Sequence, residues 1–293
     1  MKRQAVARLA AFTVVAAVVA VLIGKWMVRR AEVAANRAEL HRLGLPGDGT
    51  REFVPLPSIL PHHAPAARIG GELFSDKRLA RTSRRTCASC HWMNMGGSDG
   101  KLHNGVLTRP IVNAAATTVF FHDGSVKSFA EAATKMLTDG NYAGGGSLDD
   151  ITKRIAADTD LSAAFQRAYA QGLTTTNLVD SLEQYARTLL SAGRTFDRFQ
   201  GGDEHVLQPL EKAGYEIFRA RKCISCHSGP VLGGLRVHEG RKVTQLRGIG
   251  QRQVFFADGT SRSLDTAIAR MPSGGDEWTA EERAALVAFL KTL

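Results

Sequence analysis

Two short stretches, Cys87-Ala88-Ser89-Cys90-His91 and Cys223-Ile224-Ser225-Cys226-His227, decide how this chain folds. They hold all four cysteines of the 293 residues, so none is left for a disulfide or a free nucleophile. Two thiols about one helical turn apart can each form a thioether to a haem vinyl group. The histidine directly after the second thiol can then reach the iron as proximal ligand, and C-x-x-C-H is the attachment pattern of c-type haem. Zinc asks for a different layout: its paired motifs typically lie within ~20 residues of each other, whereas Cys90 and Cys223 are 133 positions apart. A redox C-x-x-C needs no following histidine, least of all twice. The chain is therefore expected to carry two covalently bound haem c groups, attached through Cys87 and Cys90 and through Cys223 and Cys226, with His91 and His227 on the irons.

The formal charge of +10 does not point to nucleic acid. Residues 1–30 contain six basic residues (Lys2, Arg3, Arg8, Lys25, Arg29 and Arg30) and no acid, which leaves +4 on the body from Ala31 onward. Four haem propionates would cancel that excess. The hydrophobic content of 44% supplies one large core or two ordinary ones.

At the N-terminus an apolar run from Leu9 to Gly24 is flanked by basic residues on both sides, the outline of an export signal. No small-x-small cleavage site follows it. Residues 1–30 are therefore read as an uncleaved signal anchor, a short transmembrane helix with Lys25 snorkelling and Trp26 at the interface. A cleaved signal peptide is the alternative. Since c-type haem is joined outside the bacterial cytoplasmic membrane, the body is expected in the periplasm, anchored to the cytoplasmic (inner) membrane. Residues 31–64, with LGLPGDGT and VPLPSILPHHAP, read as a stalk or linker, and His62 and His63 lie in it.

Beyond the stalk the chain says the same thing twice. GELFSDKRL, CASCH, TRPIVN and VFFHDGSVKSFAEAATKM are followed by YEIFRARK, CISCH, KVTQLRGIG and VFFADGTSRSLDTAIARM. His91 to Asp123 is 32 positions and His227 to Asp258 is 31; Asp123 to Met136 and Asp258 to Met271 are both 13. Two such coincidences argue for internal duplication. Each D-G step suits a turn, with Ser128 or Ser263 capping the helix after it. Apolar residues recur at three and four through 148–158, 161–171 and 175–193, where Thr175 or Thr176 is expected to cap the last helix. Thr279 with Glu281 and Glu282 opens the closing helix. The expected fold is all-α: two cytochrome c-like haem domains, 65–203 and 204–293, related by duplication and preceded by the transmembrane anchor.

These motifs, with YARTLLSAGRTFDRFQGG between them, FRARKCISCHSGP, and FADG…ARM…LVAFLKTL, resemble the bacterial di-haem cytochrome c peroxidase superfamily, which includes MauG, over residues 65–293. The resemblance implies a division of labour. The C-terminal haem transfers electrons and is held by His227 and Met271, a soft thioether ligand that raises the potential. The N-terminal haem, on His91, is the peroxide site. Electrons come from a small cytochrome c or cupredoxin, and hydrogen peroxide is reduced to water. A tyrosine at position 271 would point to MauG-like oxidation of a partner protein. If Met136, the repeat partner of Met271, bound iron, the chain would be a non-catalytic electron carrier. His103, in the loop of GKLHNGV, is the candidate displaceable ligand of the first haem.

The family's acid–base glutamate maps to Glu131, and its glutamine to Phe120, with His122 as a further polar candidate. Its interdomain calcium is left open, because the asparagine falls near Leu107 and the T-P-S motif reads Val243-Thr244-Gln245. Trp92 and Trp278 are read as packing residues. Family members are often homodimers.

Overall fold

The computed structural model describes residues 2–42, 53, 55–80, 85–142, 146–272 and 275–293. Its helices are α1 (Lys2–Arg42), α2 (Ala64–Phe74), α3 (Phe129–Thr138), α4 (Leu148–Ala156), α5 (Thr159–Ala168), α6 (Thr175–Ala186), α7 (Thr195–Gln200), α8 (Pro209–Ala220), α9 (Leu264–Ala269) and α10 (Ala280–Lys291). Polar caps start three of them where the sequence places them. Ser128 accepts from the Glu131 N–H, Ser263 from Thr266 and Thr279 from Glu282. The cap of α6 is Thr174, one residue before the expected pair.

The anchor expected at residues 1–30 is not upheld. Among the described residues no helix is long and apolar enough to cross a membrane. The reason lies in the helix itself: α1 continues for 41 residues, and its short apolar stretch runs straight on into Lys25, Arg29, Arg30 and Glu32. The proline-rich segment after α1 does not stand off as a stalk either. Leu56 and Leu60 are buried with Ala115, Ala116, Ala186, Val231 and Leu235 in a small core that joins the two halves.

Each half has its own core. Ile69, Leu73, Ile151, Ile155, Phe165, Leu178 and Leu182 fill the first. Phe196, Phe218, Leu264, Ile268, Leu286, Phe289 and Leu290 fill the second, to which α7 also contributes. In the first half α2 crosses α6, and in the second α8 crosses α10. Both crossings close on a glycine. A Cβ on Gly70 would lie 2.6 Å from the Ser181 carbonyl carbon, and one on Gly214 would lie 2.5 Å from that of Ala285. The helix backbones touch there because no side chain intervenes.

The strands escape sequence reading because each is two residues long, too short for alternation. β1 (Leu102–His103) pairs with β2 (Val106–Leu107), and β3 (Val237–His238) with β4 (Arg241–Lys242), both antiparallel. The two hairpins interlock reciprocally. Leu107 N–H donates to Ala257 O at 2.9 Å, and Lys242 N–H donates to His122 O at 2.7 Å. One offset of 135 relates Leu107 to Lys242, His122 to Ala257, and also Arg109 to Thr244, which are hydrogen-bonded to each other. The halves therefore meet about a pseudo-two-fold axis. The duplication reaches the backbone: Phe121 and Phe256, bulky residues rarely found left-handed, have φ of 59° and 63° at the same point of each repeat.

Candidate haem centres

Each C-x-x-C-H motif forms one tight turn. The turns cover Cys87–Ser89 and Cys223–Ser225, and the N–H of His91 or His227 donates to the first cysteine's carbonyl at 2.9 Å in both. The turn brings the two thiols of each motif close enough to influence each other. The Cys87 and Cys223 thiols are pushed up to about 11 by burial. A redox C-x-x-C or a thiolate zinc site needs the opposite shift, so the environment suits thiols destined for thioethers.

The histidines are equally prepared. His91 Nδ1 lies 3.0 Å from Gly97 O, and His227 Nδ1 lies 3.2 Å from Leu232 O. A carbonyl at Nδ1 fixes the proton there and leaves the Nε2 lone pair for a metal. Burial, the largest influence, holds both imidazoles below their ordinary value and hence neutral, the form that ligates. The donor set therefore fits two c-type haems.

The other expected residues divide. Met136 lies inside α3 and is half-buried, whereas Met271 lies beyond the C-cap of the shorter α9 and is 38% exposed. Its carbonyl accepts from Trp278 Nε1 at 3.0 Å, and the Arg221 guanidinium lies 5.2 Å from that indole, next to the second haem motif. His103 Nε2 is 2.8 Å from the buried carboxylate of Asp99, and both lie close to Cys90 Sγ. Glu131 stands in the first turn of α3 with its carboxylate 3.5 Å from Lys135 Nζ on an open face. Phe120 is buried, edge-on to Phe129 at 6.1 Å. His122 is pushed down to about 4, by burial first and then by Arg109, and its buried Nδ1 has no hydrogen-bond partner among the described residues. Trp92 donates to Ser89 O at 3.1 Å.

Sequence reading missed Asp99, which holds His103, and the buried pair of Arg247 with Asp197 that ties α7 to the second motif's loop. Asp99 could have been found from the SDGKLH turn, since an acid four residues before a histidine can reach it across a hairpin. It also missed Arg109 and Arg252, whose Nε atoms are buried without a hydrogen-bond partner among the described residues.

Two haem-ready motifs on a duplicated helical scaffold define a di-haem c-type cytochrome. A family model described as di-haem cytochrome c peroxidase matches residues 64–205, and one described as cytochrome c oxidase, cbb3-type, subunit III matches 209–290. The chain is 29% identical to cytochrome c peroxidase Ccp of Escherichia coli over 305 aligned residues, 89% of this chain and 65% of that protein. It is 27% identical to cytochrome c551 peroxidase of Nitrosomonas europaea, covering 82% of this chain and 83% of the relative. It is also 27% identical to the methylamine utilization protein MauG of Methylorubrum extorquens, covering 83% and 82%. In fold it is similar to a MauG-like protein associated with microbial copper homeostasis, with TM-score 0.67, 19% identity, and coverage of 83% of this chain and 94% of that one. The diheme peroxidase BthA of Burkholderia thailandensis gives TM-score 0.65 at 15% identity over 82% and 89%. The chain belongs to the di-haem cytochrome c peroxidase/MauG superfamily of oxidoreductases.

Proposed function

We propose that this chain is a periplasmic di-haem peroxidase that reduces hydrogen peroxide to water with electrons from a small periplasmic cytochrome c or cupredoxin. The observation that carries the reading is the divergence of the two halves at one repeat position. Met136 is locked in a helix, while Met271 has left its helix and stands at the surface. That supports a methionine ligand in the second half and a vacant or exchangeable position in the first. The likeness to two cytochrome c peroxidases supports the substrate.

Haem, when bound, supplies one-electron redox chemistry at iron in both halves. Cys87 and Cys90 with His91 would hold one group in the peroxidatic unit, 65–203. Cys223 and Cys226 with His227 and Met271 would hold the other in the electron-transfer unit, 204–293. Reducing one peroxide takes two electrons and two protons and releases two waters. Glu131 takes a proton from one peroxide oxygen and delivers it to the departing one, a transfer worth ~10²–10⁴ in rate. His103 is the displaceable histidine. Its pairing with Asp99 at 2.8 Å would hold the imidazole when it is not serving as a ligand. Thioether attachment outside the cytoplasm supports the periplasmic placement.

The test is peroxide-dependent oxidation of a reduced small cytochrome by the half-reduced protein. No turnover would sink the reading. A mass change in a partner protein with no donor oxidation would favour MauG-like chemistry instead.

A further inference from the structure

Three cationic side chains, Arg109, Lys242 and Arg252, lie near the pseudo-two-fold axis close enough to influence one another, and among the described residues none of them is paired with an acid. Arg109 donates from Nη1 to Thr244 Oγ1 at 2.7 Å. Arg252 donates from Nη2 to the carbonyls of Gln245 at 3.2 Å and Arg247 at 3.3 Å. Lys242 lies with Nζ 5.3 Å from the centre of the Phe120 ring. The Nε atoms of Arg109 and Arg252 are buried and unpartnered among the described residues. Burial pushes Arg109 down to about 10. Burial first and neighbouring cations second push Arg252 to about 9 and Lys242 to about 7, and no carboxylate offsets either shift. The three residues are half-buried, with the Arg109 and Arg252 Nε atoms fully so, and cations partly removed from water without a paired carboxylate are costly, so the arrangement suits an anion.

The location says which anion. The backbone of Arg109 contacts the His91 imidazole and that of Thr244 contacts His227, so the cluster lies beside both iron ligands. The two segments are also those in which the resemblance looks for calcium. Leu107 offers no side-chain oxygen there, and calcium needs six to eight oxygen ligands, usually with carboxylates among them. A divalent ion would add to three positive charges already in place. Calcium does not fit.

We propose that Arg109, Lys242 and Arg252 form an anion clamp that receives the propionates of the two haems across the pseudo-two-fold axis, in the place of a calcium ion. The inference rests on two haems being bound and not on peroxide turnover. Fixed positive charge beside the propionates favours the reduced iron, so removing it lowers the potential.

The experiment measures both midpoint potentials of the holoprotein by spectroelectrochemistry in Arg109→Gln and Lys242→Met, with Arg109→Lys keeping the charge. The expected result is a tenfold fall in the reduction equilibrium of at least one haem, about 59 mV for a one-electron couple. Arg109→Lys should restore most of it, and neither EDTA nor added calcium should move either potential. Lys242→Met carries the test if Arg109→Gln does not take up haem. Unchanged potentials in the charge-removing variants with intact haem spectra would overturn the proposal. So would a calcium-dependent shift, or potentials that follow added phosphate, which would mean a soluble anion fills the clamp.

Discussion

Gly214→Ala should loosen the second half by forcing α8 off α10. The new Cβ would lie 2.5 Å from the Ala285 carbonyl carbon and 2.8 Å from Phe289 Cβ. Carbon atoms rest at ~3.5–4.0 Å, so the helices must part by about 1 Å, enough to forfeit a quarter to a half of the dispersion along the seam. Phe218, Leu286 and Phe289, all buried, lie along that seam. Overpacking typically costs ~1–3 kcal/mol and occasionally more; a clash with helix backbone stands at or above the upper end of that range, and the better helix propensity of alanine returns about 1 kcal/mol. The net loss of ~2–3 kcal/mol lowers Tm by roughly 10–20 °C for a unit of this size. Thermal melting of the holoprotein, followed by far-UV circular dichroism, reads it. Gly140→Ala, where a Cβ meets nothing within 4 Å, should leave Tm within a degree or two of the parent at about ±0.5 kcal/mol. Equal melting of Gly214→Ala and Gly140→Ala would refute the contact argument.

Other substitutions probe chemistry and charge. Glu131→Gln should cut peroxide turnover by ~10²–10⁴ in steady-state assays while stability stays within ~0.5 kcal/mol, since its side chain is 47% exposed. Met271→His should lower the midpoint potential of the second haem, read by redox titration, because a thioether favours reduced iron more than an imidazole does. Asp197→Ala leaves the fully buried Arg247 guanidinium without its carboxylate and should cost ~3–5 kcal/mol in denaturant melts. Burial works against the charge on Asp99, yet hydrogen bonds from His103, the Lys101 N–H and Thr108 hold its carboxyl below the ordinary value. A depressed carboxyl stabilises above its unfolded value of ~4 and loses that contribution as pH falls through the folded value. His103→Ala should therefore flatten the acid limb of the stability curve below about pH 4.

What was legible in the chain was whatever is written locally and twice. The two C-x-x-C-H turns, the caps Ser128, Ser263 and Thr279, and the repeat spacing all survive into the fold, because each depends on residues a few positions apart. The reciprocal bonds from Leu107 to Ala257 and from Lys242 to His122 could not be read, since they join backbone atoms more than a hundred residues apart. The cluster of Arg109, Lys242 and Arg252 was hidden for the same reason. Only after the offset places Arg109 opposite Thr244 does its charge have an address. The anchor expectation is not upheld among the described residues, where the helix that contains the short apolar run continues through charged residues to Arg42. His103 is legible as the candidate displaceable ligand, but the buried aspartate four residues earlier that holds it is not.

On the proposed function the two haem sites differ, with His227 and Met271 as the axial ligands of one iron and His91 as the only lasting axial ligand of the other. Electron paramagnetic resonance and resonance Raman spectra of the half-reduced protein test it most directly. One low-spin six-coordinate haem, altered by Met271→His, and one high-spin five-coordinate haem that changes on adding hydrogen peroxide are expected. Two haems that remain low-spin and six-coordinate in every redox state would contradict it.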